Sequence, residues 1–190
     1  MNIVKRALFG GIYVALIVAA LLLYVMYGYN KGISCRNYVQ EAFATMDVYL
    51  KKRWDLVPNL SEWVKSYSQY EKSLLNELTA LRTKEYSTLS NNEKIDANQQ
   101  LGQVLSKITA VAENYPDLKA NQNYTTLMQQ MEGVEDDIAQ SRKYYNGTVR
   151  ELNTFLEAFP SNLIGKLFGF EKAKMYTIDE NERANIKVEL

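Results

Sequence analysis

Residues 7–29, ALFGGIYVALIVAALLLYVMYGY, run for 23 positions without a charged side chain. At ~1.5 Å of rise per residue, a helix of that length reaches about 35 Å, enough to cross the hydrocarbon core of a bilayer. Lys5 and Arg6 stand at one end and Lys31 at the other, within reach of lipid headgroups. Tyr24, Tyr27 and Tyr29 gather at the second boundary, as interfacial aromatics do. A cleavable signal peptide has a shorter apolar region and a small-residue cleavage site, a pattern this stretch lacks. A lipoprotein signal would have to use Gly32-Ile33-Ser34-Cys35. Asn30 and Lys31 interrupt the apolar run before it, however, and Gly32 stands where a larger aliphatic residue is expected. Cys35 therefore reads as an ordinary helix residue. The bases on the two flanks nearly balance, so the positive-inside rule assigns no side to the rest of the chain.

Outward from this segment the apolar residues keep helical spacing. Val39, Phe43, Met46 and Leu50 step by three or four, which places them on one face of a helix running from the membrane to about Trp54. Pro58, in DLVPNL (55–60), marks the first turn, because proline lacks an amide donor and belongs at a helix start. A second stripe follows through Leu60, Val64, Tyr67, Leu74, Leu78 and Leu81, then a polar loop over 87–92. Ser90 with Glu93 fits a capping box for a third helix carrying Ile95, Leu101, Leu105, Ile108, Val111 and Tyr115, which stops at Pro116. The fourth stripe is the longest: Leu127, Met131, Val134, Ile138, Tyr145, Val149, Leu152, Leu156 and Phe159, up to Pro160.

The spacing predicts an all-α chain: a short flank (1–6), a transmembrane helix (7–29), and an up-down antiparallel four-helix bundle (30–170). Its helices are expected over 30–54, 58–86, 93–114 and 123–159, with a short amphipathic segment at 160–170 and a loosely ordered tail at 171–190. Alternating helix directions would bring DLVPN (55–59) and YPDLKAN (115–121) together at the membrane-distal end. The 87–92 loop and the segment after Pro160 would then lie near the membrane.

Composition excludes much of catalysis. The chain has no histidine and a single cysteine, Cys35. That removes ordinary zinc sites, imidazole bases and triads, the Glu-x-x-His di-iron centres of bundles, and any internal disulfide. Residues 37–190 hold 18 bases against 22 acids, the wrong balance for a nucleic-acid surface. Glu132, Glu135, Asp136 and Asp137 form the densest acidic run, and a solvated helix face explains it better than a hard-cation site. No catalytic residue, metal ligand or cofactor is predicted.

Three sets of residues stand out for other reasons. Asp47, beside the Met46 stripe, and Arg142, between Ile138 and Tyr145, could pair across the first and fourth helices, and Asn146 and Asn153 could bond across the bundle. Asp55, Pro58, Asn59, Tyr115, Pro116, Asp117, Lys119 and Asn121 make up the two turns that a partner could read. Leu163, Ile164, Leu167 and Phe168, with Lys166 among them, suit a helix lying in the headgroup layer, although packing across the base of the bundle explains them equally well.

The motifs EAFATMDVYLKKRWDLVPNL (41–60), VAENYPDLKANQNY (111–124), SRKYYNGTVRELN (141–153) and FPSNLIGKLFGF (159–170), after the YN of Tyr29-Asn30, resemble the bacterial LemA family in order across nearly the whole chain. The resemblance implies a helical bundle behind an N-terminal anchor in a bacterial cell membrane. It also implies links, through some relatives, to magnetosome membranes and to a neighbouring membrane zinc protease, and a bundle facing the cytoplasm. It implies no reaction. The leading expectation is a membrane-anchored scaffold that presents a helical stalk about 40–55 Å long to a protein partner. A membrane-organising homo-oligomer is the first alternative. A carboxylate-only hydrolase, which needs two acids converging in a pocket, is the second.

Overall fold

The structure, a computed structural model, describes residues 2–66, 72–83, 85–113 and 121–177. Among these residues every regular element is helical. The order is α1 (Asn2–Asp55), α2 (Val57–Ser66), α3 (Lys72–Arg82), a 3₁₀ turn (Tyr86–Thr88), α4 (Asn91–Glu113), α5 (Gln122–Glu157) and α6 (Ser161–Leu167). The chain divides into two compact units, one built from Met1–Glu41 with Gly147–Ala173, the other from Ala42–Asn146 with the stretch that begins at Lys174.

α1 is a single helix whose two halves meet different surroundings. From Phe9 to Tyr27 every residue is exposed except the half-buried Val25. α1 is the one helix among the described residues that is long and apolar enough to cross a membrane, and none of its apolar window is buried. From Gly28 onward the same helix acquires a buried stripe of Gly28, Gly32, Cys35, Val39, Phe43, Met46 and Leu50.

In the first unit α1 runs antiparallel to α5 and its sequel. Gly28 meets Ile164, Gly32 meets Phe155 and Phe170, and Cys35 meets Glu151. The close approach depends on the missing side chains. A Cβ on Gly32 would come within 2.9 Å of the Phe170 ring, and one on Gly28 would collide with Ile164.

In the second unit the same antiparallel order continues, with Phe43 against Tyr145 and Arg53 against Glu135. α3 runs antiparallel to α4, with Glu77 bonded to Lys107 and Leu81 facing Gln100 and Val104. Leu78, Ile95, Leu101, Ile108 and Ile138 are fully buried there, as are Met46 and Leu50 of α1. Ser90 and Glu93 form the capping box of α4: the Ser90 amide and hydroxyl donate to Glu93 Oε2 at 2.8 and 2.6 Å, and the Glu93 amide donates to Ser90 Oγ at 3.4 Å.

Several expectations change. The helix expected over 58–86 is two helices, α2 ending at Ser66 and α3 starting at Lys72. Tyr67, read as part of the second stripe, lies with residues 68–71 outside the described residues. Pro58 does not reverse the chain. It occupies the second position of α2, where no amide is needed, and only Leu56 separates α1 from α2.

As a result, Asp55 and Pro58 line the same hollow as Glu85 and Ser87, the second of which belongs to the loop expected at the opposite end. Phe159, read as the last member of the fourth stripe, lies beyond α5 and is 80% exposed. The first part of the expected loose tail is fixed in place, because Tyr176 is buried.

Candidate functional site

The polar chemistry of the second unit centres on Asp47. α1 carries it one residue past the buried Met46, so its carboxylate sits at the rim of the core, facing the start of α4 and the 3₁₀ turn. Lys94 Nζ bonds Asp47 Oδ2 at 2.6 Å, and the Tyr86 hydroxyl donates to Asp47 Oδ1 at 2.6 Å. Lys94 also lies 5.0 Å from the Tyr86 ring centroid. Burial pushes the Tyr86 phenol far above the usual tyrosine range, and its bond to Asp47 pushes the same way. A phenol held neutral and tied to a carboxylate makes a fixed donor rather than a base.

Asp47 does not pair with Arg142. It is already satisfied by two donors from elsewhere, and the Arg142 guanidinium lies over the Tyr176 ring at 5.5 Å. The nearby Arg53, 6% exposed, places Nη2 2.9 Å from Glu135 Oε2, a contact off the hydrogen-bond direction and therefore ionic.

Asn146 and Asn153 do bond across elements, but to the extended chain after α6 rather than to another helix. The Asn153 amide donates to the Ala173 carbonyl at 3.0 Å and its oxygen accepts from the Ala173 amide at 3.0 Å. Asn146 makes the same reciprocal pair with Tyr176 at 2.8 and 2.9 Å. Seven residues apart, the two side chains share a face of α5 and treat the chain beside them as a β-strand would treat its neighbour. The Tyr145 hydroxyl donates to the Lys174 carbonyl at 2.8 Å, and Lys174 pairs with Asp96 at 2.6 Å. Burial raises the Tyr145 phenol above its ordinary value.

Of the turn residues, Asp55 and Pro58 border a hollow of ≈ 340 Å³ with Lys51, Trp54, Tyr86 and Ser87. Lys51 pairs with Asp55. Asn59 lines a second hollow with Asn123, Thr126 and Gln130. Asn121 caps α5, its side chain accepting from the Asn123 amide at 2.9 Å. Tyr115, Pro116, Asp117 and Lys119 lie outside the described residues.

In the first unit, Lys31 Nζ bonds Glu151 Oε1 at 2.5 Å, and Cys35 Sγ donates to the same oxygen at 3.9 Å. Glu151 holds the Lys31 amine above its ordinary range, with the Cys35 sulfur adding to the effect. Burial pushes the Cys35 thiol up, against the smaller opposing pull of Lys31. Such a thiol is a poor nucleophile.

α6 separates its apolar residues. Ile164 is buried against Gly28, whereas Leu163, Leu167 and Phe168 are exposed. The Phe168 ring still touches Tyr29, at 4.8 Å between centroids. Tyr86, Lys94, Tyr176 and Lys174 were not singled out by sequence, and only the apolar or charged character of each, shared with many neighbours, could have marked them. Among the described residues no cluster of three or more Asp, Glu or Cys side chains is arranged to hold a metal ion.

Comparison with known proteins adds what geometry does not. The chain is 22% identical to Protein LemA of Metamycoplasma hominis over 83% of its own length and 72% of that protein. It is 21% identical to Magnetosome protein MamQ 2 of Paramagnetospirillum magneticum over 84% of its length and 68% of that protein. None of these names specifies a reaction. The family model described as the LemA family matches residues 42–190, nearly everything beyond the apolar half of α1, and the chain belongs to the LemA family.

Proposed function

We propose that this chain is a single-pass membrane protein whose α1 crosses a bacterial bilayer and continues into an up-down arrangement of helices that serves as a scaffold for a protein partner. The observation that carries this reading is the change of surroundings within one unbroken helix. The apolar residues from Phe9 to Tyr27 are uncovered, while those from Gly28 to Leu50 are buried on one side. Uncovered apolar surface on this scale is stable only in lipid, and the polar, interlocked head is suited to water.

The head is built for rigidity rather than turnover. Tyr86 and Tyr145 are pushed above the usual tyrosine range by burial, the cysteine is buried, and Asp47 is engaged by Lys94, so this part of the head offers binding surfaces rather than a poised acid, base or nucleophile. The hollow bordered by Trp54, Asp55, Pro58 and Ser87 has room for a partner side chain.

The relative named as a magnetosome protein favours a second reading, in which copies of the chain assemble and organise the bilayer around them. Crosslinking in intact cells, followed by sizing of the detergent-extracted full chain, tests both. A single defined protein crosslinked through the region of Trp54 and Ser87 supports the scaffold. A large homo-oligomer with no second protein supports membrane organisation and removes the partner from the first reading.

A further inference from the structure

We infer that the α6 region is a second bilayer contact, seated at the headgroup–acyl boundary of the leaflet from which α1 emerges. This rests on the reading that α1 crosses a bilayer.

Phe159, Leu163 and Leu167 recur every four residues, and Phe168 follows the last of them. They are 80%, 57%, 70% and 43% exposed. Leu163 and Leu167, four apart within α6, share one side of that helix, and Phe159 stands just ahead of it, two residues beyond α5. Ile164, the deeply buried aliphatic of α6, is turned toward α1 and fills the space left by Gly28. α6 is therefore held to α1 by Ile164, and by Phe168 against Tyr29, with its apolar side left uncovered.

The site of attachment identifies what covers that side. Gly28 and Tyr29 close the apolar stretch of 7–29, so the lipid that surrounds it ends at the level where α6 is fastened. The patch is thus continuous with the membrane-facing surface of α1. Lys166, exposed between Leu163 and Leu167, has a stem long enough to keep its ammonium among the phosphates while its neighbours enter the acyl layer. Phe170 fastens the chain after α6 to the same side of α1 one turn further on, packed on Gly32 and 5.9 Å from the Arg36 guanidinium. A contact with lipid on α6 would therefore fix the rotation of α1 about its axis, which a lone spanning helix leaves free.

The test uses the full chain with Cys35→Ser, reconstituted in phosphatidylcholine–phosphatidylglycerol vesicles. An environment-sensitive fluorophore is placed by Leu163→Cys, Leu167→Cys, Ile17→Cys or Glu171→Cys, one per sample. Each sample meets two quenchers: lipid carrying a nitroxide near its headgroup, and an aqueous nickel complex. The expected result is blue-shifted emission at 163 and 167 with loss to the lipid nitroxide and little loss to nickel, while 171 shows the reverse. If 17 is shielded from nickel but 163 and 167 lose emission to nickel as readily as 171, this inference is overturned and the spanning helix stands. Shielding of 163 from both quenchers would mean that protein covers the patch and would overturn it as well. If 17 itself is open to nickel, both readings fall.

Discussion

Asp47→Ala removes the carboxylate that joins α1, the 3₁₀ turn and α4. Two charge-assisted hydrogen bonds are lost, each of 2.6 Å. Bonds of this kind contribute about 1.5–3 kcal/mol apiece. The Lys94 side chain is 14% exposed, so its ammonium would be left largely buried without an anion. Water reaching it through that opening, and its contact with the Tyr86 ring, offset part of the loss. A net cost of about 3 kcal/mol follows, in line with breaking one partner of a buried ion pair.

For a chain of this size that cost lowers the midpoint of thermal unfolding by about 6–12 °C. The assay is circular dichroism of the detergent-solubilised full chain. The informative arm is the double variant Asp47→Ala with Lys94→Met, which removes the stranded charge. It should be more stable than Asp47→Ala alone, because replacing both partners of a buried pair costs far less than removing one. A shift under ~2 °C for Asp47→Ala, or a double variant whose loss equals the sum of the single ones, would show that the cluster does not hold these elements together.

Three further outcomes are expected. Asn146→Ala leaves the Tyr176 amide and carbonyl without their partner, so release of the adjoining chain becomes easier by about 2 kcal/mol, on the order of 30-fold, read as faster tryptic cleavage after Lys172 and Lys174. Unchanged cleavage would mean that the asparagine does not hold that segment. The Cys35 thiol, raised by burial, should resist iodoacetamide at pH 7–8 in the folded protein and react on unfolding, and equal rates in both states would contradict its burial. Tyr86 and Tyr145 keep their protons in the folded state at pH values where the unfolded chain gives them up. Their contribution to stability is therefore intact below about pH 10 and declines above it, and Tyr86→Phe should flatten that decline by about 1.4 kcal/mol per pH unit in denaturant titrations. An unaltered slope would place Tyr86 in water.

The helices were legible because burial leaves a periodic trace. Met46, Leu50, Ile95, Leu101, Ile138 and Val149 are all fully or nearly fully buried, and all belong to stripes readable from spacing alone. The capping box at Ser90 and Glu93 was legible for the same reason, since its partners are three residues apart. Partner choice across the chain was not. Asp47 could be recognised as a polar residue beside the core, but nothing in its neighbourhood distinguishes Arg142 from Lys94, which lies 47 positions away. Asn146 and Asn153 were recognised as a spaced pair, yet their partners are main-chain groups, which every residue offers, so no side-chain pattern announces the strand-like pairing with Ala173 and Tyr176.

A nitroxide scan along α1, one label per position from Phe9 to Asp55 in reconstituted vesicles, reads its surroundings directly through accessibility to oxygen and to an aqueous nickel complex. Oxygen access should be high and without periodicity as far as Tyr27. From Gly32 onward an alternation with a period of about 3.6 residues should appear, with minima at Cys35, Val39, Phe43, Met46 and Leu50. Nickel access within the first stretch, or a loss of helical phase between Tyr27 and Cys35, would contradict a single helix that leaves the bilayer and enters the folded head without a break.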